Sequence, residues 1–126
     1  MVQLSLLALF AAICLGLPAG AVEDRAAAAL SRDLIEHAPS TWDVRVRWRD
    51  GQLLATITPQ PYQTAFELWY APAKMIAALR DLCPGADAEI WSLVGPEHDI
   101  VLEPSVGGKT VPGARVSCRK AKLDRS

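Results

Sequence analysis

The side chains of this chain that could do chemistry are its cysteines, histidines and arginines, and their spacing decides which chemistry is available. Cys14 lies in an apolar leader, so Cys83 and Cys118 are the thiols of the body of the chain, with His37 and His98 as the possible nitrogen partners. No C-x-x-C or H-x-x-x-H pair exists to bring two ligands onto one turn, so no metal site is preformed. A reactive thiolate would need His98 delivered to it by the fold. We expect instead that Cys83 and Cys118 form a disulfide, with no metal and no cofactor.

For catalysis the acid–histidine runs are Glu36-His37 and Glu97-His98-Asp99. Neighbours on a helix or strand point in different directions, so neither run forms a proton relay by itself. No G-x-S-x-G or H-E-x-x-H constellation is present, and we expect a protein that is not an enzyme. The stretch SVGGKT, Ser105 to Thr110, ends like a phosphate-binding loop. Its spacing requires glycine where Glu103 stands, and Pro112-Gly113 follows instead of a helix. Gly107, Gly108 and Lys109 are better read as a flexible hairpin loop that could project into a partner.

Recognition chemistry is better supplied. Arg45, Arg47 and Arg49 alternate along one stretch, and Arg115 and Arg119 lie on one face of another. If the two strands are neighbours, five guanidinium groups form a cationic surface suited to carboxylates, phosphates or an acidic protein. The competing interpretation is the ordinary solvated side of a sheet. Trp69 is a candidate exposed contact residue for a protein or a sugar.

Positioning these residues falls to a small set of elements. Val22 to Ala38 is predicted as a helix by Ala27, Leu30, Leu34 and Ala38, and Pro39 ends it. TWDVRVRWRDGQLLATIT alternates around Asp50-Gly51, a pair that favours a two-residue type I′ turn. That turn sets Trp48 against Leu53, Val46 against Ala55 and Val44 against Ile57, with the three hairpin arginines on the other face. TAFELWYAP carries both a capping-box spacing, Thr64 with Glu67, and a strand-like alternation; we assign it as strand. Pro72 to Cys83 is predicted as a helix whose apolar face ends at the cysteine. AEIWSLVG, DIVLEP and ARVSCRK are assigned as further strands, with Cys118 facing inward. Residues 121–126 are expected to form a flexible basic tail.

The leader sets the compartment. All 13 Lys and Arg and all 14 Asp and Glu lie beyond residue 21. The apolar run from Leu4 to Leu17 is shorter than the ~20 residues a membrane-crossing helix requires, and Ala19-Gly20-Ala21 offers the small side chains a signal peptidase accepts. Residues 1–21 are therefore expected to be a cleaved signal peptide and residues 22–120 a single domain of a periplasmic or secreted protein. Ile13 stands where a lipobox wants a small residue, so Cys14 is not expected to be acylated. An oxidising compartment favours the disulfide. The net charge of −1 excludes the basic footprint of a dedicated nucleic-acid binder.

The expected fold is α+β: an antiparallel sheet of about five to six strands covered on one face by one helix, with the N-terminal helix on the same face or at an edge. The expected function is binding another macromolecule as an inhibitor, immunity factor or accessory subunit. The alternative is binding an anionic small molecule or glycan through the arginines. No membrane insertion is expected after cleavage of the leader.

Overall fold

The computed structural model describes residues 19–111 and 113–125, so the apolar run Leu4 to Leu17 lies outside the described residues, whereas Ala19-Gly20-Ala21, the expected cleavage site, opens the first helix. A helix, α1 (Ala19–His37), leads into the hairpin β1 (Asp43–Arg49) and β2 (Gln52–Thr58). Three helices follow: α2 (Tyr62–Trp69), α3 (Pro72–Leu82) and α4 (Ile90–Val94). Then come β3 (Ile100–Val106), the two-residue strands β4 (Lys109–Thr110) and β5 (Val116–Ser117), and α5 (Cys118–Arg125).

The hairpin has the register its alternation requires: Trp48 pairs with Leu53, Val46 with Ala55 and Val44 with Ile57. Asp50 and Gly51 both hold positive φ, 52° and 74°, as a type I′ turn demands. The sheet that grows from it is mixed, not antiparallel throughout. β2 and β3 run parallel, with Leu53 beside Ile100 and Ala55 beside Leu102, while β3 pairs antiparallel with both β4 and β5. A parallel neighbour needs a crossover of a dozen or more residues, and α2, α3 and α4 fill it.

That crossover corrects two strand assignments. Tyr62–Trp69 is helical: Leu68 and Trp69, adjacent in sequence, both pack against the core, whereas a strand would send them to opposite faces. The helix starts after Pro61, which holds its N-cap position, so Thr64 lies inside it. Ile90–Val94 is helical as well, with Ile90, Trp91 and Val94 buried at helical spacing and the Trp91 indole donating to the Gly85 carbonyl at 3.0 Å. A short apolar run fits a buried strand or a buried helix equally well by periodicity.

The C-terminal region differs too. Only Val116 and Ser117 are strand, and the chain from Cys118 to Arg125, expected to be strand and then tail, is a helix with Ala121 buried. Ser117 caps it, accepting the Lys120 N–H at 3.2 Å, and Asp99 accepts the Arg119 N–H at 3.0 Å.

One apolar core lies on the inner face of the sheet. Leu53, Ala55 and Ile57 of β2 and Ile100 and Leu102 of β3 meet Ala26, Leu30, Leu34 and Ala38 of α1. Met75, Leu79 and Leu82 of α3 and Ile90, Trp91 and Val94 of α4 complete it. α1, α3 and α4 thus share this face, with Leu68 and Trp69 of α2 packed against the same core, where the sequence suggests one covering helix with the N-terminal helix on the same face or at an edge. Cys83, just past α3, and Cys118, at the start of α5, sit at disulfide distance, with Cα atoms 5.3 Å apart.

Candidate functional site: the outer face of the hairpin

Because β1 alternates, every second side chain leaves the core, and Arg45, Arg47 and Arg49 emerge together on the outer face. All three are exposed, the side chain of Arg45 by 84% and that of Arg49 by 61%. Successive arginines stand ~6.8 Å apart along the strand, so their charges reinforce one another at a distance shorter than a physiological screening length of ~8 Å. Counter-charges sit only at the ends of the row. Arg45 Nε donates to Asp43 Oδ2 at 3.1 Å, and Arg49 Nε lies 3.8 Å from Asp50 Oδ2. Arg47, in the middle, has no ion pair among the described residues.

The two other arginines have separate fates. β5 does not adjoin β1; β2 and β3 stand between them, roughly 14 Å of sheet at the usual strand spacing. Arg115 nevertheless reaches back across the outer face, its guanidinium 3.5 Å from Gln52 Oε1 on β2. Arg119 is drawn inward. It donates through Nε to the His98 carbonyl at 3.1 Å, through a terminal nitrogen to the Gly95 carbonyl at 2.8 Å and to His98 again, and it lies 5.0 Å from the Trp91 ring centroid. Its five donors are largely committed to the loop before β3, so it serves that loop's shape and is not part of the cationic surface.

His98 and Asp99 likewise have structural partners. The His98 imidazole contacts the Gly51 carbonyl through Nδ1 at 2.5 Å and meets Trp48 edge to face at 5.5 Å. Asp99 accepts from the Ser117 hydroxyl at 2.5 Å and from the Ile100 and Arg119 N–H groups at 2.7 and 3.0 Å. The run Glu97-His98-Asp99 therefore ties the hairpin turn, β3 and α5 together.

Gly107 and Gly108, with φ of 61° and 79°, make a two-residue turn between Val106 and Lys109. Neither has anything within 4 Å of where a Cβ would stand, so the turn is bordered by open space. It extends β3 beyond Pro104, the last residue paired with β2, which sets Lys109 apart from the arginine row. Trp69, the expected contact residue, is half-buried and packed against the core, whereas Phe66 of α2 and Tyr70 just past its end are exposed, their rings edge to face at 4.9 Å. Helix periodicity, had the segment been read that way, places Phe66 and Tyr70 together at i and i+4.

Two recesses lie elsewhere. An open groove of about 560 Å³ between α1 and α4 is lined by Arg25, Arg32, Asp33, Glu36 and Glu89 among others, both charge signs together. A smaller one, about 230 Å³, lies between α3 and α5 beside Arg80, Arg115 and Lys120. No cluster of three metal-ligating side chains occurs among the described residues, and no helix among them is long and apolar enough to cross a membrane. No known protein family, curated protein or solved structure matches the chain.

Proposed function

We propose that the protein is an exported, non-enzymatic binder of another macromolecule, of the inhibitor, immunity or accessory-subunit type, and that it engages an acidic partner through the outer face of β1. The observation that carries this reading is the row Arg45, Arg47 and Arg49, exposed side by side on a paired strand with its central member in no ion pair among the described residues. Guanidinium groups held in a row at strand spacing give bidentate, geometrically selective contacts to carboxylates. Scaffold rigidity supports the reading, because arginines on a paired strand lose less freedom on binding than arginines on a loop. The leader and the cysteine pair support an oxidising compartment.

The test is a pull-down from the exported fraction with the chain from Val22 onward, wild type against Arg45→Ser/Arg47→Ser/Arg49→Ser. We expect the triple variant to stay folded, since all three side chains are solvent-exposed, and to lose the partner that the wild type retains. Equal recovery of every partner by both baits would overturn the proposal.

A further inference from the structure

The arginine row lies on a strand whose far edge pairs with no other strand among the described residues, and the backbone direction there follows from two observations. Leu53 donates its N–H to the Asp99 carbonyl on the β3 side at 2.9 Å, so Leu53 and its partner Trp48 form a non-hydrogen-bonded pair of the hairpin. Hydrogen-bonded and non-hydrogen-bonded pairs alternate along an antiparallel ladder. The pairs Val46–Ala55 and Val44–Ile57 are therefore non-hydrogen-bonded as well, and the N–H and C=O groups of Val44 and Val46 point away from β2. Among the described residues no strand lies on that side of β1 and no hydrogen bond reaches the main chain of Val44 or Val46, while α1 packs against β1 from the inner face. Their side chains, half-buried, mark the rim of the inner face.

We infer that β1 is a docking edge for an extended acidic segment of the partner, which adds a strand to the sheet beside Val44 and Val46. This rests on the macromolecule-binding reading and specifies its geometry. In such a pairing the main chain supplies affinity, and side chains that alternate between the faces supply selectivity. Those on the outer face would stand next to Arg45, Arg47 and Arg49, where carboxylates are attracted and cations repelled. Those on the inner face would extend the apolar rim of Val44 and Val46. Alternating acidic and apolar residues are thus the pattern that fits. A second copy of this chain fits less well. Its own β1 carries one carboxylate, Asp43, against three guanidinium groups, and would set a row of net charge +2 against an identical row. An exposed edge is commonly defended against such self-pairing by charges of one sign.

The probe is the peptide acetyl-EVEVEVE-amide, compared with acetyl-EEEEVVV-amide, which has the same composition without the alternation, and with acetyl-KVKVKVK-amide. Titration of the chain from Val22 onward, followed by amide NMR and hydrogen exchange, reports affinity and place together. We expect the alternating acidic peptide to bind at least tenfold more tightly than either control. It should slow exchange at the Val44 and Val46 amides, leaving those of Arg45 and Arg47, already bonded to β2, unchanged. Val46→Pro removes an outward N–H without breaking a bond to β2, although its ring also fixes φ, and should abolish that binding; if this variant does not fold, the exchange pattern of the wild type decides alone. Equal binding of both acidic peptides without protection at Val44 and Val46, lost in the arginine triple variant, would overturn the docking edge yet leave the arginine-face reading standing. No binding of the alternating peptide, or a dimer of the chain formed through β1, also overturns it.

Discussion

Arg47 and Arg119 are the same residue in similar alternating sequence, yet their surroundings differ completely. Arg47 meets water on an outer face, whereas Arg119 is bound to two carbonyls and lies over an indole. At this scale function depends on what competes for each group, and an arginine already satisfied within the fold has little left to offer a partner. The histidines differ in the same way. His98 is built into the junction of turn and sheet, while His37 ends α1 with its Nδ1 2.7 Å from the Asp33 carbonyl and 3.5 Å from the Asp33 carboxylate. The hydrogen bond to that carbonyl first, and the nearby negative charge second, raise the His37 pKa above its ordinary 6.5. The folded chain thus holds this proton more tightly than the unfolded one. Its contribution to stability is complete below about pH 6.5 and fades as pH rises through the raised folded value. An NMR titration should find His37 titrating above 6.5, and His37→Gln should remove this part of the pH dependence of stability; a His37 titrating below 6.5 would contradict the assignment.

At the scale of the element, the hairpin is specified twice over, by side-chain alternation and by a turn that only certain residues accept. Gly51 holds φ of 74°, and a Cβ built there would lie no closer than 3.7 Å to the His98 ring. Crowding is therefore not the constraint; backbone conformation is. We expect Gly51→Val to cost about 1–2 kcal/mol in urea denaturation, since a β-branched residue resists positive φ, whereas Asp50→Asn, which suits a type I′ turn, should leave the midpoint unchanged or raise it slightly. Comparable midpoints for the wild type and Gly51→Val would show that the turn does not set the register. α2 and α4 lack such double specification. Their apolar runs are short, and their identity as helices follows from the crossover they must span.

For the whole molecule the Cys83–Cys118 link matters most, because it fastens the end of α3 to the junction between the last strand and α5 across 35 residues. Loop closure of that size should stabilise the fold by roughly 3–4 kcal/mol in the chain-entropy account, a large share of the ~5–15 kcal/mol available to a small domain. The double variant Cys83→Ala/Cys118→Ala should unfold at a markedly lower urea concentration than the oxidised chain. It should also lose any difference between reducing and non-reducing buffer. Equal midpoints for the oxidised chain and the double variant would deprive the link of a structural role.

The primary sequence alone determined what short-range physics controls. Alternation with Asp50-Gly51 set the hairpin register and the arginine row, Pro72 with its apolar period set α3, and the two remaining cysteines had only each other. Tertiary structure decided the rest. That β3 enters parallel to β2, that Ile90–Val94 coils and does not extend, and that two strands separate β5 from β1 all depend on contacts between residues far apart in the chain. The fate of Arg119 shows the reason most directly. Its partners are the carbonyls of Gly95 and His98, more than twenty positions away, and no local pattern in a sequence encodes which carbonyls a folded chain will leave within reach.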